Sequence, residues 1–224
     1  AKPKMYTIAF DTTAASCSVA LMKVDKLLDS FVEEMDFGQA EVLIPAIRDL
    51  LAKHNLEVRD LGLMVVCVGP GSFTGVRSSI SAARAFGLAC PQMVVGGVSS
   101  FDAYAYALSW NPEEIAPVNA VIIETKREDF YYQLFDEHLN KISDHSAAVR
   151  DDSIAALRDK KVTFVGDGVE RFLASPTGLS IHAIVMKPHL DVEDLARCGL
   201  RKFNRKTTDY PKPLYLRAPD VCVK

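Results

Sequence analysis

Residues 69 to 77 read Gly-Pro-Gly-Ser-Phe-Thr-Gly-Val-Arg, directly behind the apolar run Met64 to Val68 and ahead of a helix-compatible stretch that lasts to Ala89. A strand, a glycine-rich loop and a helix start in that order could hold an anion. Glycines let main chain approach a ligand, and a helix start offers unpaired N–H groups with partial positive charge. The spacing fits neither G-x-x-x-x-G-K-[ST] nor G-x-G-x-x-G, and no lysine follows the third glycine, Gly75. Arg77 at the helix start is suited equally to an anion and to a neighbouring carboxylate. Ser72 and Thr74 could be read as nucleophiles, but the string is not G-x-S-x-G and supplies no histidine base. Capping the helix N–H groups, worth about 1 kcal/mol, is the better account of these hydroxyls. A second polar cluster, Asp11-Thr12-Thr13, ends the run Tyr6 to Phe10, where Asp and Thr can satisfy turn amides locally. The histidines are His54, His138, His145, His182 and His189, and no two stand three or four residues apart as ligands sharing one helical turn would. No metal site is expected.

These residues need elements to hold them. Tyr6 to Phe10 and Ser18 to Met22 read as a hairpin whose turn is acidic and hydroxyl-rich. Val118 to Ile123 ends in Glu124-Thr125 and is followed by the aromatic run Phe130 to Phe135, so the pattern of strand, acidic residue, polar loop and strand occurs twice. Between the two lie a helical segment from Ala40 to His54, the Met64 to Val68 strand, a Val76 to Ala89 helix, a strand at Met93 to Val95 and a helix near Ser99 to Leu108. Buried strands alternating with helices indicate an α/β layer. Trp110-Asn111-Pro112-Glu113-Glu114 marks a boundary, dividing the chain into 1–110 and 111–224. The second part continues with Val162 to Val165, Gly166-Asp167-Gly168, an Asp191 to Phe203 helix, and an extended tail containing Pro211, Pro213 and Pro219. In the 40 to 54 segment Val42, Leu43, Ile44, Ala46, Ile47, Leu50 and Leu51 form an apolar stripe wider than one packed face requires, and Pro45 should delay or bend the helix. In the 76 to 89 helix Ser78, Ser79, Ser81, Ala82, Ala83, Ala85, Gly87 and Ala89 are small, which lets helix axes approach closely.

With 224 residues, 49 % of them apolar, the chain can bury a substantial core, and it contains no run near the roughly 20 apolar residues of a membrane helix. A cytoplasmic protein without membrane contact is expected. Five widely spaced cysteines with no C-x-x-C pair suggest reduced, mostly buried thiols. A net charge of −3 provides no general field for RNA, but between Arg197 and Arg217 seven basic residues face only Asp209. A solvated helix face is the first reading of that run, and a phosphate-backbone or partner contact the second.

The whole 69 to 77 string resembles the signature of the TsaB (YeaZ) family, the bacterial partner subunit in making threonylcarbamoyladenosine on tRNA. The resemblance extends from Ile8-Ala9-Phe10-Asp11-Thr12-Thr13 to Pro213-Leu214-Tyr215-Leu216-Arg217. Gln39 stands where the family often has histidine, and Glu124-Thr125-Lys126-Arg127 where it often has Asp-x-Arg. The resemblance implies a duplicated actin-like (ASKHA, ribonuclease-H-like) fold, α/β with two mixed-sheet subdomains. Asp11, Thr12 and Thr13 then occupy the place of a first phosphate loop, as a vestigial nucleotide loop or as a capped turn. Gly69, Pro70, Gly71, Ser72, Phe73, Thr74, Gly75 and Arg77 form the glycine-rich, anion-binding candidate. The two early helices imply a partner interface through Glu41, Val42, Leu43, Ile47, Ser78, Ser79, Ala82, Ala83 and Phe86. Catalytic homologues carry an H-x-x-x-H metal pair on an early helix, where this chain has Gln39, Glu41 and Pro45. The implied role is therefore a non-catalytic scaffold for a TsaD-like threonylcarbamoyltransferase acting at position 37 of tRNA. The implied surroundings are a TsaE-like ATPase, a threonylcarbamoyl-adenylate synthase, a second copy of the chain, and tRNA met only through the complex. No tightly bound cofactor is expected, with ATP or ADP at or near a subunit interface as the one nucleotide candidate. The rival readings are a stand-alone actin-like kinase and, further off, a metal-dependent glycoprotease.

Overall fold

A computed structural model describes residues 6–216; Arg217 of the basic run, Pro219 and Cys222 lie outside the described residues. In chain order the strands are β1 (Tyr6–Asp11), β2 (Ser16–Lys23), β3 (Lys26–Glu34), β4 (Leu61–Cys67), β5 (Val94–Val98), β6 (Val118–Glu124), β7 (Asp129–Phe135), β8 (Ser146–Val149), β9 (Lys161–Gly166) and β10 (Ser180–Met186). The helices are α1 (Gln39–Lys53), α2 (Phe73–Ala89), α3 (Ser100–Ala107), α4 (Arg150–Leu157), α5 (Val169–Phe172) and α6 (Val192–Asn204). They build two five-stranded sheets, ordered β3-β2-β1-β4-β5 and β10-β9-β6-β7-β8. Read from its first hairpin, each sheet has the same order. The opening strand pairs antiparallel with the second and parallel with the fourth, which gives the duplicated mixed-sheet architecture expected of an actin-like fold.

The first compact unit runs to Ser100 and regains the chain at Asp191–Tyr215. Its central strands β1 and β4 are apolar and buried nearly throughout, as strands covered on both faces must be. Ile8, Phe10, Val19, Leu21, Met64 and Val66 point to the face where α1 and α2 pack. The helix α6 lies against β1 and β4 as well, with Gly199 pressed against the Val65 side chain, whose position in β4 points away from that first core. The second unit, Phe101–Leu190, has its own core of Val118, Ala120, Ile122, Phe130, Phe164 and Phe172, with the Phe172 ring 5.2 Å from Phe130 and 5.5 Å from Phe164.

Two sequence-based expectations differ from this architecture. The compact units are not consecutive halves divided at residue 110, because the 191–215 segment returns to the first sheet. Pro45 does not delay α1, which starts at Gln39 and runs through it. A proline inside a helix costs about 3 kcal/mol or more. Five buried side chains on α1 (Leu43, Ala46, Ile47, Leu50 and Leu51) offset this, at about 1.5 to 3 kcal/mol for each large one.

Candidate functional site

The register of the sheet brings the two polar motifs together. β1 ends at Asp11, and its parallel neighbour β4 ends at Cys67, so the 11 to 13 turn and the 69 to 75 loop leave the same sheet edge side by side. There they close on each other. The Ser72 N–H donates to the Thr13 carbonyl at 2.8 Å, and the Thr12 hydroxyl donates to the Gly75 carbonyl at 2.7 Å. The Thr12 N–H donates to the Ser79 hydroxyl at 3.2 Å, and the Thr12 and Ser79 hydroxyls share a short bond. Gly71 and Gly75 are required by this approach. A Cβ at position 75 would stand 1.9 Å from the Thr12 carbonyl oxygen, and one at position 71 would stand 2.4 Å from that of Thr13. The α2 start is capped from within, with Ser72 Oγ accepting from the Gly75 N–H at 3.1 Å.

Beneath the loop lies a second layer. Asp11 accepts from the Thr13 N–H at 2.8 Å and from the Thr13 hydroxyl at 2.6 Å, an Asx-type turn that is almost wholly buried. The Thr13 hydroxyl lies 3.6 Å from the Cys67 sulfur, which lies 3.3 Å from the Ser100 hydroxyl; that hydroxyl in turn donates to the Pro70 carbonyl at 3.1 Å. Burial, reinforced by the Asp11 charge, pushes the Cys67 thiol up to about 12, and burial with Asp11 and Glu33 pushes Cys17 up to about 11. Both are neutral packing groups at ordinary pH. Cys67 and Ser100 were not among the sequence-predicted residues; the signal available was only their place at the end of the β4 run and at the start of the next helix.

The second unit repeats the device with other residues. The Gly168 N–H donates to the Ile122 carbonyl at 3.0 Å, and Asp167 accepts from the Glu124 N–H at 2.9 Å. The Glu124 carboxylate takes two bonds from Arg171, at 2.6 and 2.8 Å, and the Arg171 guanidinium lies 3.8 Å from the centre of the Phe130 ring. Partial burial pushes Glu124 up, but Arg171 and the Lys126 N–H outweigh it and hold the carboxyl below its ordinary value.

Of the predicted interface residues, Leu43, Ile47, Ser79 and Ala83 are buried inside the first unit, where α1 and α2 pack on each other and on the sheet. They are core, and Ser79 serves Thr12. Val42, Ser78, Ala82 and Phe86 are partly exposed and Glu41 is open to solvent. The outward surface also carries residues that were not selected: Ile44 at 44 % exposure on α1, Leu88 at 82 % on α2, and Phe37 at 90 % just before α1. Ile44 is the surplus that made the α1 stripe too wide. Gln39, the first residue of α1, donates to the Ala14 and Met35 carbonyls at 3.2 and 3.1 Å. Arg77 lies 5.2 Å from the Phe73 ring centre, and Phe73 is 5.0 Å from Tyr215. Phe73, Thr74, Arg77, Ser78 and Ser81 line an open depression on α2. Among the described residues no three His, Cys, Asp or Glu side chains converge as a metal would require, and no helix is long and apolar enough to cross a membrane.

Residues 38–206 match the family model described as TsaD, tRNA N6-adenosine threonylcarbamoyltransferase. The chain is 26 % identical over 225 residues to the tRNA threonylcarbamoyladenosine biosynthesis protein TsaB of Escherichia coli, covering 95 % of each chain. It is 27 % identical over 126 residues to the TsaB protein of Buchnera aphidicola from Baizongia pistaciae, covering 56 % of each. The fold superposes on YeaZ from Pseudomonas aeruginosa with a TM-score of 0.79 at 22 % identity, covering 94 % of this chain and 99 % of that one. The family model spans most of the sequence, and the loop and strand ends that carry the motifs lie in the shared fold; the chain belongs to the TsaB (YeaZ) family of tRNA threonylcarbamoyladenosine biosynthesis.

Proposed function

We propose that this chain is a non-catalytic scaffold subunit that binds a TsaD-like threonylcarbamoyltransferase through the outward faces of α1 and α2 and supports its modification of adenosine 37 of tRNA. The observation that carries this reading is the closure of the two motifs: the polar groups of Thr12, Thr13, Ser72 and Gly75 bond one another. A loop bonded to its own neighbouring turn in this way supports a helix-positioning role over a phosphate-gripping one. The helix it positions presents Thr74, Arg77, Ser81, Ala85 and Leu88 to solvent, and its neighbour α1 presents Ile44. Small residues such as Ser81 and Ala85 near the largely exposed Leu88 allow another helix to approach closely. A second copy of the chain would use the same face. In this reading ATP or ADP belongs to a subunit interface, and a TsaE-like ATPase joins the assembly through the catalytic partner.

The test is size-exclusion chromatography with light scattering, on the chain mixed with the TsaD-like protein of its organism. A stable mixed complex is expected, and Ile44→Glu with Leu88→Glu should abolish it while leaving the melting temperature unchanged. Retention of the complex by that double variant would move the interface elsewhere. Tight nucleotide binding and phosphotransfer by the isolated chain would replace the scaffold reading with that of an actin-like kinase.

A further inference from the structure

From α6 and the segment that follows it we infer a phosphate-backbone contact: within the assembled complex, this chain itself touches RNA through Arg201, Arg205, Lys206 and Lys212. The inference rests on the scaffold reading above, and asks what the chain contributes besides its partner-binding face.

The helix has two unlike sides. Val192, Leu195, Ala196, Cys198 and Gly199 are buried. Glu193, Arg197, Arg201 and Arg205 follow at intervals of four, one turn after another, the first three half-buried and Arg205 exposed. The acidic member of the row is neutralised internally, since Glu193 accepts from Arg197 at 2.9 and 3.0 Å. Arg197 also donates to the Asp25 carbonyl at 2.7 Å, which ties the helix to the β2–β3 turn. Beyond that pair the row is purely cationic. None of Arg201, Arg205, Lys206 and Lys212 forms an ion pair with a carboxylate among the described residues. A favourable interaction with the helix C-terminus accounts for Arg201 and Lys202 in the last turn. It does not account for Lys206 and Lys212, which lie beyond the helix end. The segment after α6 is fixed: the Gly97 N–H donates to the Asp209 carbonyl at 2.8 Å, and Arg84 donates to the Pro211 carbonyl at 2.8 Å. Lys212 therefore extends from anchored main chain. A chain with net charge −3 that leaves these four cations without a carboxylate partner, on the end of α6 and on the anchored segment after it, suits a polyanion, and phosphodiester backbone is the polyanion in tRNA modification.

The experiment measures binding of fluorescently labelled tRNA to the reconstituted complex by anisotropy across a salt series. It compares wild type with Arg201→Gln/Arg205→Gln, with Lys206→Gln/Lys212→Gln, and with Lys160→Gln/Lys161→Gln as a control of equal charge change in the second unit. Each site pair is expected to lower the slope of log K against log salt by about 2, roughly one per lost phosphate contact, and the control to leave it unchanged. Unchanged slopes for both site pairs, or an equal fall in the control, would overturn the inference. Loss of co-elution with the catalytic partner and no change in slope would assign the surface to an acidic protein segment, and overturn it too. If wild type itself does not co-elute, the scaffold reading fails, and the same titration on the isolated chain still decides for or against the patch.

Discussion

Replacing Thr12 by valine keeps the shape of the side chain and removes the hydroxyl that serves both the Gly75 carbonyl and Ser79. Two buried polar groups then lose a partner, and the expected cost is about 1 to 3 kcal/mol in chemical denaturation. Ser78→Ala, one position before Ser79 but bonded only to the Thr74 carbonyl at the surface, should stay within about 0.5 kcal/mol. Asp29 offers a pH test at the same scale. Its carboxylate receives Lys53 at 2.7 Å and His54 at 2.7 Å, which hold it well below the usual carboxylate range. A depressed folded-state pKa contributes stability that is present above the unfolded value of about 4 and is lost as pH falls below it. The melting temperature of Asp29→Asn should therefore lie below that of wild type near neutrality, with the gap closing progressively below about pH 4. A gap that persists there would mean that the pair acts through packing. The sequence singled out Thr12, Thr13 and the loop glycines, and the structure brings them together. It could not show that they bond one another, because Thr12 and Gly75 stand 63 positions apart and parallel register alone makes them neighbours.

The loop, its capped helix and the turn it meets act as one element. Gly75→Val would drive a side chain into the Thr12 carbonyl, and overpacking of this kind costs about 3 kcal/mol. Its thermal stability and its co-elution with the catalytic partner should fall together; normal binding by a destabilised variant would separate the loop from the interface. Legibility at this scale followed burial. β1, β4, β6 and β9 are four of the six inner strands, with β2 and β7, and their apolar runs were visible. β3 and β10 are edge strands, exposed along most of their length; β3 mixes apolar with charged residues and no apolar run announces it, while Ala183 to Met186 in β10 is an apolar run that the sequence reading did not select. α1 was visible, but its passage through Pro45 was not, since tertiary burial overrode the local rule.

At the scale of the whole chain, the fold class was legible because the opening motif, the glycine string and a repeated strand–acid–strand pattern agree with one duplicated architecture. The division into units was not. A boundary marker such as Trp110-Asn111-Pro112 is local, whereas the return of α6 to the first sheet is a contact between distant parts of the chain. A fragment ending at residue 110 would lack the helix that covers β1 and β4, and it is expected to show no cooperative thermal transition by circular dichroism. The closure of the glycine loop has one more consequence, for genetics. Gly71 and Gly75 face main-chain oxygens, of Thr13 and Thr12 respectively, and every amino acid carries that oxygen. No exchange of side chain at position 12 or 13 can make room for a larger residue at 71 or 75. Second-site revertants of a glycine-loop mutant should therefore not map to the turn it touches, and restoration of the glycine itself should dominate among them.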